Sequence, residues 1–101
     1  MIARIQSIHF DADVRLIQLI ENKMNELDHY LSSLKAGQAE VILRLEPVGE
    51  VQEKLVELNI RVSGVPIIVK STGKKFEEAF LKAFKTLKRS ILKLKERIQN
   101  K

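Results

Sequence analysis

An α+β fold of order β-α-β-β-β-α, a sandwich of one four-stranded mixed sheet with two helices packed on one face, follows from three patterns in this 101-residue chain. Two long segments repeat apolar residues at steps of three and four, as amphipathic helices do. Shorter segments alternate apolar and polar residues, as half-buried strands do. The glycines Gly37, Gly49, Gly64 and Gly73 each fall at an expected turn. A hydrophobic content of 45% over this length allows one modest core, so residues 1–101 are expected to form a single domain.

Met1 to Phe10 carries β-branched Ile2, Ile5 and Ile8 and is too short before Asp11-Ala12-Asp13 to make a good helix, which predicts a strand. Asp13 is placed to cap a helix N-terminus. From there Ile17, Ile20, Met24, Leu27, Leu31 and Leu34 recur at helical spacing, and the helix is expected to end near Lys35-Ala36-Gly37, with Gly37 supplying a left-handed stop. Ala39, Val41, Leu43 and Leu45 then alternate with Glu40, Ile42, Arg44 and Glu46 as a strand that Pro47 and Gly49 terminate. Val56 to Val62 and Val65 to Lys70 read as a hairpin turning at Gly64, with Pro66 at a strand start or edge. The first two strands should run parallel across a helical crossover, and strands two to four should form an antiparallel meander. The face without helices would present Glu40, Ile42, Arg44, Glu57, Asn59, Arg61 and Lys70. Ser71 or Thr72 would cap the last helix.

That last segment is the most informative part of the chain. Lys74 to Lys101 holds ten of the eighteen basic residues against three acids, so it carries +7 while residues 1–73 carry −2. With Phe80 at the origin and about 100° per residue, Phe76, Phe80, Ala83, Phe84, Leu87, Ile91, Leu94 and Ile98 fall within about 60° of one line. Lys82, Lys85, Arg89 and Lys93 fall opposite, at roughly 140° to 220°. One side is suited to a core, and the other sets four cations in a row that suits a polyanion backbone. The competing reading is a solvated face kept for solubility. Only Glu78 and Lys82 make an i,i+4 pair within the row, which leaves most of its charge uncompensated.

Catalytic candidates are few. His9 and His29 lack neighbours in any nucleophile or metal pattern, the glycines form no phosphate loop, and Glu77-Glu78 and Asp11/Asp13 read as acids at helix N-termini. The absence of cysteine excludes disulfide, thiolate-metal and cysteine-nucleophile chemistry. No catalytic site, metal, cofactor or small-molecule substrate is expected, and the chain does not read as an enzyme. The N-terminus lacks a signal-peptide pattern and eighteen apolar residues never run together, so no membrane partner is expected and a cytoplasmic location is. Of the rings, Phe76, Phe80 and Phe84 lie on the core line, and Tyr30 alone is expected to show an edge to solvent. RNA would then be recognised through phosphates and shape, with little base reading.

The element order, the opening Arg4-Ile5-Gln6-Ser7-Ile8-His9-Phe10 and the helix Leu87-Lys88-Arg89-Ser90-Ile91-Leu92-Lys93-Leu94-Lys95-Glu96-Arg97 together resemble the bacterial ribosome hibernation-promoting factor family. That family is also known as ribosome-associated inhibitor or sigma-54 modulation protein. Its second helix commonly reads Lys-Leu-x-Arg-Gln-Leu-x-Lys-x-Lys, matched here at Leu87, Arg89, Lys93 and Lys95, with Thr86 and Ser90 in place of the usual Lys and Gln. Lys23 in the first helix and Arg44 in the second strand stand where the family also places basic residues. The first helix departs from the pattern in its acids Glu21, Glu26 and Asp28, Glu26 standing where relatives often have lysine. Stopping at Lys101 with no linker, the chain resembles the short form.

The resemblance implies a translation inhibitor that occupies the messenger and transfer-RNA channel of the small ribosomal subunit in stress or slow growth, blocking by occupancy. The RNA-binding residues would be Lys82, Lys85, Lys88, Arg89, Lys93, Lys95 and Arg97, with Lys23 and Arg44, on a protein that is a monomer when free. Two rival readings are a general double-stranded RNA-binding module and a protein-interaction module that regulates transcription.

Overall fold

The computed structural model describes residues 2–31, 34–49 and 51–99. The elements are β1 (Ala3–Ile8), α1 (Val14–Glu26), a single helical turn α2 (Asp28–Leu31), β2 (Ala39–Val48), β3 (Val51–Val62), β4 (Val65–Gly73) and α3 (Phe76–Gln99). The sheet order is β1-β2-β3-β4, with β1 and β2 parallel and the other pairs antiparallel. This is the expected α+β architecture.

Strand alternation decides the layers. Ala39, Val41 and Leu43 on β2, Val56, Leu58, Ile60 and Val62 on β3, and Val69 on β4 are buried and join Leu16, Ile20, Met24, Leu27 and Leu31 beneath α1 and α2. From α3 the same core takes Phe76, Ala79, Phe80, Ala83, Phe84, Leu87 and Ile91. Both long helices therefore lie on one face, and the other carries mostly polar side chains, with Ile68 exposed among them.

Local chemistry sets the element ends. Asp13 caps α1, its Oδ1 accepting the Leu16 amide at 2.8 Å. The apolar run to Leu34 is not one helix as expected: α1 stops at Glu26, and the Leu27 amide donates back to the Met24 carbonyl at 3.1 Å, a tightened i to i−3 turn. The tightening keeps Leu27 and Leu31 in the core, while Ile17 sits half-buried at its rim and Leu16 takes the buried place. Nor is Gly37 a left-handed stop, because positive φ among the described residues occurs at His9, Ser63, Gly49 and Gly64. Its amide instead donates to the Arg61 carbonyl at 3.1 Å, and Ala36 forms an isolated antiparallel bridge with Val62, so this segment is tied to the end of β3 outside the β2–β3 ladder.

The strands run further than alternation suggests. Pro47 lies inside β2, which reaches Val48 before Gly49 turns at φ 63°. Pairing with β1 ends at Arg44, so β2 is an edge strand on that side, where proline's missing donor is tolerated. Ser63 (φ 49°) and Gly64 (φ 79°) form the two-residue turn from β3 into β4, the primed geometry that suits strand twist. Ser71 and Thr72 do not cap α3. They belong to β4, paired with Val56 and Leu55, and the helix starts instead with the Lys75 carbonyl accepting the Ala79 amide at 3.0 Å. Glu77 and Glu78 in the first turn offset the dipole in place of a polar cap.

The change of direction at Gly73 is tight. A Cβ there would lie 3.2 Å from the Ala79 nitrogen and 3.4 Å from its Cβ. Gly73→Ala is expected to cost roughly 1–3 kcal/mol by overpacking this junction, read as a lower urea midpoint. An unchanged midpoint would mean that the junction relaxes freely.

Candidate nucleic-acid interface

The α3 helix presents its cations because its other side is committed to the core. Phe80 and Leu87 have no exposed surface, and Ile91 continues the line. Lys82, Lys85, Arg89 and Lys93 are all exposed on the opposite crest. At roughly 1.5 Å rise per residue the row spans about 16 Å, with successive charges about one turn apart. Lys82 meets Glu78 at 4.0 Å, with both side chains more than half exposed, so that pair contributes little. Lys85, Arg89 and Lys93 form no ion pair among the described residues.

Lys23 and Lys88 occupy the seam between the helices. The Lys23 ammonium lies 6.0 Å from the Phe84 ring centroid and 3.6 Å from Glu26. The Lys88 ammonium stands 4.8 Å over the Tyr30 ring, so the one aromatic expected to show an edge is half-buried with a cation across it. Tyr30 raises the Lys88 pKa above its ordinary value, chiefly by side-chain hydrogen bonding and then by charge, with Glu26 adding and partial burial opposing. Lys88 is therefore charged throughout the neutral range. Lys95 is half-buried and Arg97 exposed in the last two turns.

The structure thus brings Lys23, Lys82, Lys85, Lys88, Arg89, Lys93, Lys95 and Arg97 to the helical layer. Arg44 is elsewhere: it points from the open face of the sheet and pairs with Glu46 at 3.2 Å. Residue patterning alone missed Lys54, whose ammonium donates to the Lys74 carbonyl at 2.8 Å and joins Lys74 and Lys75 at the start of α3. Nothing local marks it, since strand and helix meet there across twenty residues of chain. Lys75 lies seven residues before Lys82, two turns back along the cationic row.

The chain fits the family described as Sigma 54 modulation protein / S30EA ribosomal protein over residues 3–99. It belongs to that family. The fold is shared with the N-terminal domain of Thermus thermophilus Protein Y at a TM-score of 0.77 and 18% identity, over 93% of this chain and 99% of that one. A ribosomal subunit interface protein from Coxiella burnetii aligns at a TM-score of 0.72 and 16% identity, over 94% of this chain and 98% of that one. No curated protein matches the chain. Among the described residues no helix of this family member is long and apolar enough to cross a membrane.

Proposed function

We propose that this family member is a single ribosome-binding domain spanning residues 1–101 that docks the crest of α3 on small-subunit ribosomal RNA. In the messenger and transfer-RNA channel it would keep ribosomes inactive during stress or slow growth, as a cytoplasmic protein that is a monomer when free and acts by occupancy without catalysis. The observation that carries this reading is the unpaired row Lys85, Arg89 and Lys93 on a helix whose other side is buried. Family membership and the ribosomal neighbours support it. Lys82, Lys88, Lys95, Arg97 and Lys23 would flank the row, and Arg44 would meet a second element of the channel wall from the opposite face.

Co-sedimentation with purified small subunits, with and without added salt, tests the proposal. Binding that salt weakens supports it, and equal capture of unrelated duplex RNA would favour a general double-stranded RNA module. The family description also names sigma 54 modulation, a protein-interaction reading. Under that reading, charge reversal on α3 leaves partner binding unchanged.

The seam residues should matter less than the crest. Lys23 already faces Glu26 at 3.6 Å, whereas Arg89 has no acidic partner among the described residues. Lys23→Gln is expected to weaken small-subunit binding modestly and Arg89→Gln more. A larger loss from Lys23→Gln in the same titration would reverse the ranking.

A further inference from the structure

The strand β4 closes one side of the sheet, and among the described residues no further strand pairs with it. Which of its backbone groups face outward follows from register. The Arg61 carbonyl accepts the Gly37 amide at 3.1 Å, so Arg61 turns its backbone away from β4, and its register partner Pro66 turns away from β3. Bonded and unbonded positions alternate along an antiparallel pair. Ile68, Lys70 and Thr72, opposite Asn59, Glu57 and Leu55, therefore also point their amides and carbonyls outward. Pro66 loses no bond by lacking a donor at such a position, and the three outward residues after it keep theirs.

Edge strands are commonly blunted by charge, and Lys70 is the one charged residue among these positions. Its ammonium is drawn back across the sheet to Glu57 at 3.5 Å, while Ile68 beside it is 63% exposed. The row stays open to a further strand. Above it lies one flank of α3. The helix packs on β3 and β4, and its α1 side is marked by Lys88, which lies over Tyr30 and stands about 80° around from Phe80. The opposite flank, at about 200° to 260°, looks over the β4 edge and carries Lys75, Lys82, Lys93 and Arg97. The acids of α3, Glu77, Glu78 and Glu96, fall at about 60° to 160°.

We infer that the β4 edge takes an extended, acidic segment of a partner protein as a fifth strand. Alternating donors and acceptors are matched by another peptide backbone, whereas a phosphodiester offers acceptors only. Carboxylates on alternate residues of the segment then stand on the α3 side near Lys82 and Lys93, and the residues between them lie on the open face beside Ile68. A second copy of this chain is a poor occupant, because pairing β4 with β4 sets two cationic α3 flanks side by side.

Titrating the ¹⁵N-labelled protein with acetyl-Thr-Glu-Val-Glu-Val-Thr-amide tests this. Bound peptide is expected to slow hydrogen exchange roughly tenfold at the Ile68, Lys70 and Thr72 amides, while those of Ile67, Val69 and Ser71, already turned toward β3, change little. Only alternate amides of an added strand face β4, so N-methylation of both Val or of both Glu residues should abolish binding in one case and spare it in the other. Lys82→Gln combined with Lys93→Gln, both exposed, should weaken binding roughly fivefold, and a peptide with lysine in place of glutamate should bind least. Shifts confined to α3, equal tolerance of the two methylations or an undiminished response to the lysine peptide would overturn the inference. So would concentration-dependent protection of the same three amides in the protein alone, the sign of β4 pairing with itself. No RNA enters this titration, so its outcome stands apart from ribosome binding by the crest.

Discussion

Changing Lys82, Lys85, Arg89 and Lys93 together to Gln is expected to flatten the salt dependence of ribosome binding. If each cation neutralises one phosphate, the row contributes roughly −3 to −4 to the slope of log K against log salt, at about 0.7 to 0.9 counterions released per contact. The quadruple variant should lose that portion of the slope and bind more weakly at low salt. It should remain folded, because all four side chains are exposed on the crest and surface substitutions usually change stability by under about half a kcal/mol. Binding at several salt concentrations measures the slope, and circular dichroism checks the fold. An unchanged slope with intact structure would make the row a solvated face and remove the physical basis for RNA docking through α3.

Leu87→Ala should have the opposite profile, a large loss of stability with little direct effect on the charged surface. Leu87 has no exposed surface and packs in the core shared by α1, α3 and the sheet. Truncation there removes several buried methyl and methylene groups and opens a cavity, at a cost of about 2–5 kcal/mol. Chemical denaturation reads this directly. A loss under about half a kcal/mol would place Leu87 outside the core and rotate the crest away from the orientation described.

The candidate interface was unusually legible because it lies on one helix. Periodicity over 24 residues fixes which side of α3 is apolar, so Lys82, Lys85, Arg89 and Lys93 could be placed on the crest from spacing alone. Alternation likewise turned Arg44 toward the open face, since Leu43 beside it points inward. Lys54 and the Tyr30–Lys88 contact were not legible. Each joins segments distant in the chain, and no local pattern records which side chains the packing brings together. The start of α3 was misplaced for the same reason: Ser71 and Thr72 have the chemistry of caps, but pairing with Leu55 and Val56 draws them into β4.

By itself, then, the sequence determined the element order, the helical face that is buried and the concentration of positive charge on the last helix, because these depend on residue identity at short, regular spacing. Tertiary structure decided where the elements end and which side chains meet. It broke the first helix at Leu27, tied Ala36 and Gly37 to the end of β3, set Lys23 and Lys88 in the seam with Arg44 on the far side, and aligned Glu40, Asn59 and Ile68 across three strands. Backbone groups must find partners wherever the fold supplies them, and that competition overrides local preference at the element ends.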